Sequence, residues 1–345
     1  MSLVAAATLV AGVLRYVSAG KVVPFVASAV ALALLATLVG HAVDALGDRL
    51  GSGATGVVQS ALGNLPELFV CVFSLRAGLD DVVRGAIVGS ILANVLLVLG
   101  LAFVFGGVKH GVQRFDVTAA KTLCLLLLLA VCTLLVPALT AALHTPAAGH
   151  EKSLSIVVSV LLLVVFALSL PAATARSSAE PHEDVVADLE HVSGWPVWFA
   201  LAVLAVAGVG AAVVSEWFVH ALEPAIDALG LSQAFAGLVV VAIAGNAVEN
   251  VVGIQLARRN QMDYAVSVIL QSPLQIALVL APVLVLIAPL VGASFTLVLS
   301  PLLIAALAIA VLVTVIVVFD GESSWLEGTA LLALYGVLAA AFWWG

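Results

Sequence analysis

Gly63-Asn64-Leu65-Pro66-Glu67 and Gly245-Asn246-Ala247-Val248-Glu249 lie 182 residues apart, each inside a strongly apolar stretch. The same offset sets Arg76 on Arg258, Asp81 on Asp263, Ser90 on Ser272 and Leu92 on Leu274. Upstream, Ala42-Val43-Asp44-Ala45-Leu46-Gly47 returns as Ala225-Ile226-Asp227-Ala228-Leu229-Gly230 at an offset of 183. One gap therefore aligns long parts of both halves, which marks an internal duplication.

The surroundings of the motifs fix the class. Hydrophobic residues make up 64% of the 345 and charged residues 9%, far below the soluble average of about 25% charged. Mean hydropathy is +1.27. A membrane-spanning helix needs about 20 apolar residues. The chain offers eleven such runs, near 3–18, 22–44, 54–76, 82–107, 117–140, 152–172, 195–222, 232–257, 263–291, 295–319 and 324–344. They are too long and continuous for barrel strands, which alternate over about ten residues. The expected fold is an all-α polytopic membrane protein of about eleven transmembrane helices.

Five helices separate equivalent positions, and an odd number of crossings reverses direction. The halves, 21–173 and 195–345, are thus expected to be two inverted five-helix repeats, with a substrate site at the midplane between them. Residues 1–20 fall outside the repeat as an accessory first helix. That run has the length of a signal peptide, but its first basic residue, Arg15, follows the apolar segment instead of preceding it. Residues 174–194 form a polar linker carrying Glu180, Glu183, Asp184, Asp188 and Glu190. A block of like charges is ordinarily a solvated linker; the alternative is a helix that gathers or senses cations.

The net charge of −8 is uneven, because all twelve Lys and Arg lie between Arg15 and Arg259. With the N-terminus inside, seven basic residues face the cytoplasm and five the outside, a small margin under the positive-inside rule. No basic footprint for nucleic acid exists. Cys71, Cys124 and Cys132 all sit in apolar runs without metal-ligand spacing and read as packing residues.

An ionised acid at bilayer depth costs at least about 2.5–3.5 kcal/mol on insertion scales, so Glu67 and Glu249 at matching places call for a function. Asn64 and Asn246 precede them by three residues, a spacing that shares one helix face. Gly63, Gly245 and Pro66 are helix breakers, and irregular backbone at membrane depth survives only where it is enclosed or lines a wet cavity. Two carboxylates, two amide oxygens and freed carbonyls suit Ca²⁺, which takes six to eight oxygens at about 2.3–2.6 Å. The absence of paired His or Cys ligands argues against Zn²⁺ or Cu⁺. No Lys or Arg stands within two helical turns of either Glu along the chain. Such an acid is expected to carry a proton when no metal ion is there, so that cation and proton exclude one another. Mutual exclusion at a site that faces each side in turn is sufficient for antiport.

Ser90 and Asn94, and their counterparts Ser272 and Gln275 with Gln271, could complete an oxygen shell or serve as interhelical hydrogen bonds. Glu216 lies well inside its apolar run and is a candidate for a proton path, whereas Asp44 lies near a helix end, where solvation explains it. His41 and His220 also sit near helix ends.

Taken together, these segments resemble the calcium/proton exchanger family of the Ca²⁺/cation antiporter superfamily over nearly the whole chain. Further segments that carry the resemblance are Gly89-Ser90-Ile91-Leu92-Ala93-Asn94, Ser215-Glu216 to Gly230, Ser272-Pro273-Leu274-Gln275-Ile276-Ala277 and Asp320 to Gly328. The resemblance implies cation-binding glutamates at Glu67 and Glu249, second-motif surroundings at Asn246 and Gln275, and a helix-seven acid at Glu216. It implies a secondary Ca²⁺/H⁺ antiporter of a prokaryotic plasma membrane, with Ca²⁺ and H⁺ as cargo, no resident cofactor and no nucleic-acid partner. Three positions depart from the family. Asn250 stands where a His is usual, Leu65-Pro66 where small or hydroxyl residues are usual, and Gln271 where Gly is common. These departures bear on cation choice and keep Na⁺(K⁺)/H⁺ or Na⁺/Ca²⁺ exchange as alternatives. An intramembrane metal-dependent hydrolase would want a nucleophile or His ligands at depth, which the motifs lack. A structural scaffold would be indifferent to neutralising the two acids.

Overall fold

The computed structural model describes residues 1–17, 20–50, 62–177 and 195–343. The linker acids Glu180 to Glu190 lie outside the described residues, as do the side chains of Asp44, Glu249 and Asn250.

The described residues are almost entirely helical. In order, α1 is Ser2–Leu14, α2 Val22–Leu50, α3 Leu65–Arg76, α4 Asp80–His110, α5 Val117–Ala142 and α6 Glu151–Ser177. Then come α7 Val197–Leu229, α8 Gln233–Gly245, α9 Ala247–Arg258, α10 Met262–Val291, α11 Pro301–Val318 and α12 Trp325–Trp343. Among the described residues, eight of these carry a stretch long and apolar enough to cross a membrane: α2, α4, α5, α6, α7, α10, α11 and α12. Helices apolar on every side belong either in lipid or in a large core, and this chain uses both.

Local chemistry sets the ends. Asp116 caps α5 by accepting from Thr118 N at 2.8 Å and Ala119 N at 3.3 Å. Ser232 caps α8 through Phe235 N, and Gly230, at φ 65°, closes α7 in the left-handed conformation open to glycine. The apolar run expected as a helix from 295 starts only at Pro301. Proline favours the first helical turn and forces the residue before it to be extended. Ser300, extended at ψ 153°, supplies the cap instead, and Leu297 N in the preceding segment is held by Ser155 Oγ.

The described part of the run expected at 54–76, and the run expected at 232–257, are each interrupted at an asparagine. Asn64 (φ −91°, ψ 16°) lies just ahead of α3, and Asn246 (φ −93°, ψ 22°) separates α8 from α9. The break thus falls on the asparagine. Gly245 is the last residue of α8, still helical. Pro66 sits in the first turn of α3, where its missing N–H costs little.

Helix α4 is the most enclosed, with 83% of its apolar window buried. Two glycine crossings bring other helices onto its backbone. A Cβ on Gly89 would meet Leu238 O of α8 at 2.1 Å, and one on Gly328 of α12 would meet Gly100 O at 2.6 Å. Small residues let helices approach closely in lipid, where no hydrophobic drive exists between them. Three π turns, Ala93–Val98, Ala236–Val241 and Ile276–Leu280, lie inside α4, α8 and α10. Such turns recur at functional sites.

One short strand pair accompanies the helices. Gln113–Arg114 pairs antiparallel with Glu322–Ser323, joining the loop after α4 to the loop before α12. Around this clasp, Gln113 Nε2 donates to Ala257 O at 3.0 Å and Asn260 Oδ1 at 2.9 Å. Lys109 Nζ and His110 Nε2 both reach Arg258 O at 2.9 Å, and Asp116 N donates to Asp263 Oδ1. The C-terminal end of α9 is therefore tied to α4 at one end of the bundle.

Candidate functional site

Glu67 enters the centre of the bundle from the first turn of α3 and is 4% exposed. Its neighbours come from both halves. Ser90 Oγ of α4 donates to Glu67 Oε1 at 2.8 Å, and Asn246 Nδ2 donates to the same oxygen at 2.6 Å. Asn246 Nδ2 also lies 3.0 Å from Ser90 Oγ and 2.9 Å from Ala242 O. On the far side of that amide, Asn246 Oδ1 accepts from Asn94 Nδ2 at 3.0 Å and Ser272 Oγ at 3.1 Å. Asn94 Nδ2 further reaches Ser90 O at 2.9 Å and Ser272 Oγ at 3.3 Å. A second bridge joins the halves where Asn64 Nδ2 donates to Gln275 Oε1 at 3.3 Å.

Each helix positions its residue for a local reason. Because the chain breaks at Asn246, that side chain lies at a helix junction, free to cross to the other half. The π turn begins one residue before Asn94, and Asn94 bonds back to Ser90 O, four residues earlier. Gly245 makes room: a Cβ there would lie 2.5 Å from Glu67 Cγ and 2.6 Å from Oε1. Its lack of a side chain lets the acid of the first motif lie against the second.

The structure thus brings together Glu67, Ser90, Asn94, Asn246, Ser272, Asn64, Gln275 and Gly245. Gly63 is a half-buried turn residue just before Asn64, and Gln271 is exposed and points out of the group. Asn64 and Asn246 were expected to share a helix face with their own glutamates. They lie outside the helices instead, and Asn246 serves Glu67, the acid of the other motif. Two nearly matching motifs 182 residues apart were the signal for this, and an offset shows equivalence without showing contact. Glu249 lies in the first turn of α9.

Glu216 lies apart from this group. It is exposed and lines a cavity of about 290 Å³ with Arg15, Arg76, His220 and Glu223. Arg76 ends α3 nine residues beyond Glu67, roughly 14 Å at 1.5 Å per residue. Helix α7, which carries Glu216, has 33 residues and spans about 50 Å, more than the ~30 Å hydrocarbon core. The middle of so long a run need not lie at mid-bilayer.

Among the described residues no three His, Cys, Asp or Glu side chains are placed to hold a metal ion together. The donor set is a carboxylate with amide and hydroxyl oxygens, which suits a hard cation such as Ca²⁺ better than a transition metal.

The family model described as sodium/calcium exchanger protein matches residues 21–174 and 199–344. This chain belongs to that family. Among its relatives in the exchanger family is a Ca²⁺/H⁺ antiporter of Aphanothece halophytica, 34% identical over 334 residues, covering 92% of this chain and 89% of the relative. The Ca²⁺/H⁺ antiporter ChaA of Bacillus subtilis is also 34% identical, over 319 residues, with 92% and 91% covered. The solved structure of native YfkE superposes with a TM-score of 0.84 at 31% identity, over 99% of this chain and 98% of that one. The chain is an integral membrane protein of this exchanger family.

Proposed function

We propose that this protein is a secondary Ca²⁺/H⁺ antiporter in which Ca²⁺ and protons compete for one central site. The observation that carries the reading is a buried carboxylate, Glu67, at a helix break and in hydrogen-bond contact with the second motif through Asn246. Relatives that match over nine-tenths of this chain bear the name Ca²⁺/H⁺ antiporter, which favours this cargo over monovalent exchange. The site is that of a transporter and not of an enzyme.

In this reading Glu67 and Glu249 supply the charge that binds Ca²⁺. Asn64, Asn246, Ser90 and Ser272 supply neutral oxygens around it, and Gln275 holds Asn64. With Ca²⁺ gone, protons take the carboxylates. The reading needs no resident cofactor. Eleven crossings follow if α1 and the two interrupted segments around Asn64 and Asn246 each traverse the bilayer. The halves 21–173 and 195–345 then form inverted repeats, linked by 174–194 and preceded by the accessory residues 1–20. In a prokaryotic plasma membrane, expelling a doubly charged ion against 100 mV costs about 4.6 kcal/mol, at ~2.3 kcal/mol per charge. Inward proton flow supplies it.

The test is pH-gradient-driven Ca²⁺ uptake into proteoliposomes. Glu67→Gln and Glu249→Gln are expected to abolish uptake while the protein remains monodisperse and folded. Normal uptake by either variant refutes the assignment.

A further inference from the structure

Building on the antiport reading, we infer that Asn94 and Asn246 act as a paired amide switch: both side chains turn over together when Ca²⁺ engages Glu67. In the structure Asn246 aims its N–H groups at Glu67 Oε1 and Ser90 Oγ and turns its oxygen away. An N–H pointed at a carboxylate oxygen puts the positive end of a dipole where a cation would sit. A Ca²⁺ ion on that oxygen needs an acceptor from this direction, since its whole shell is oxygen.

A half-turn of the Asn246 amide brings Oδ1 to the Glu67 side and Nδ2 to the side of Asn94 and Ser272. Ser272 adapts by rotating its hydroxyl, which both donates and accepts. Asn94 cannot adapt in place, because its own Nδ2 would then face the Nδ2 of Asn246. It can adapt by turning over as well. Its Oδ1, on a residue with 0% exposure, has no hydrogen-bond partner among the described residues. A buried acceptor left unbonded is unfavourable, and the paired turn gives this one a donor, Asn246 Nδ2. The carbonyls the amides leave behind keep other donors. Ala242 O still accepts from Asn246 N at 3.1 Å, and Ser90 O from the backbone N–H of Ala93. The bond between the two amides is kept in both settings with donor and acceptor exchanged, one setting presenting N–H groups to Glu67 and the other an oxygen.

Asn94 in this scheme never touches the ion; it is a positioning residue that stabilises the oxygen-out setting of Asn246. The switch belongs to one half only. The offset of 182 places Ile276 opposite Asn94; the neighbouring Gln275 instead accepts from Asn64, and that contact does not reach Glu67 in the way Asn246 does.

The experiment uses full-length protein labelled with asparagine carrying a ¹³C side-chain carbonyl, as wild type, Asn94→Leu and Asn94→Ser. Infrared difference spectra are recorded on adding Ca²⁺, and Ca²⁺ uptake is measured in proteoliposomes. Two labelled carbonyl bands are expected to shift in the wild type, and one of them to be missing in both variants. Asn94→Leu is expected to raise the KM for Ca²⁺ about tenfold, with kcat kept within about twofold. Should Asn94→Leu fail to fold, Asn94→Ser assigns the band and gives the same direction of change in KM. A wild-type Asn94 band that Ca²⁺ leaves in place, or an unchanged KM in the folded variants, overturns the switch while antiport stands. A wild-type protein that neither transports Ca²⁺ nor gives a Ca²⁺-induced band overturns both.

Discussion

Replacing Gly245 with alanine adds one methyl group to the tightest contact between the two motifs. The new carbon would lie 2.5 Å from Glu67 Cγ, 2.6 Å from Oε1 and 2.9 Å from Cδ. Carbon–carbon contacts are comfortable at about 3.5–4.0 Å, so the acid has to retreat by roughly 1 Å. Helix α8 itself tolerates the change, since alanine is favoured over glycine in a helix by about 1 kcal/mol. The ion does not tolerate it, because Ca²⁺–oxygen distances are confined to about 2.3–2.6 Å and a retreat of that size takes the oxygen out of the shell. Overpacking of this kind costs about 1–3 kcal/mol. Falling on the Ca²⁺-bound form, that raises KM roughly fivefold to 140-fold, at 1.4 kcal/mol per decade. The assay is Ca²⁺ uptake into proteoliposomes across a range of Ca²⁺ concentrations, with thermal unfolding followed by tryptophan fluorescence. Gly208→Ala is the control, since nothing lies within 4 Å of an added Cβ there. A folded Gly245→Ala protein with the KM of the wild type refutes the claim that this glycine exists to admit Glu67.

Gly89→Ala drives a Cβ to 2.1 Å from Leu238 O, a backbone atom that can move only with its helix. It should lower stability by about 1–3 kcal/mol or more, seen as a fall in Tm and in monodisperse yield, while Gly336→Ala, in open space, leaves both near wild type. Gln113→Leu removes the bonds to Ala257 O and Asn260 Oδ1. A loss of about 1–3 kcal/mol in stability is expected, with faster amide exchange in the 111–116 loop; unchanged exchange there would show that the clasp does not restrain the end of α9.

Much of the architecture could be read directly. Long apolar runs announce helices because lipid offers the backbone no other partner, and Glu67 stood out because an acid there is costly. Ser90, Asn94, Ser272 and Gln275 could be found from their helical spacing. The contacts among them could not. That Asn246 donates to Glu67, and Asn64 to Gln275, depends on how two distant segments pack. Gly245 looked like a breaker because glycine usually is one; its true use is a contact visible only once the other half is in place. That Glu216 lines a cavity with Arg15, Arg76, His220 and Glu223, apart from Glu67, also depends on how distant segments pack. The clasp of Gln113–Arg114 with Glu322–Ser323 is too short to leave any periodic trace.

Five of the bonds that build the cluster join residues before the linker to residues after it: Asn246 to Glu67 and Ser90, Asn94 to Asn246 and Ser272, and Asn64 to Gln275. A ribosome delivers the first set well before the second. While the later helices are still being made, a carboxylate and two carboxamides wait at bilayer depth without those partners, sheltered by the insertion machinery or by one another. The arriving half is then recruited by polar groups already seeking it, so docking and site assembly are the same event. A chain truncated after α6 would display an incomplete polar seam in the membrane, a signal by which quality-control proteases can tell an unfinished transporter from a finished one.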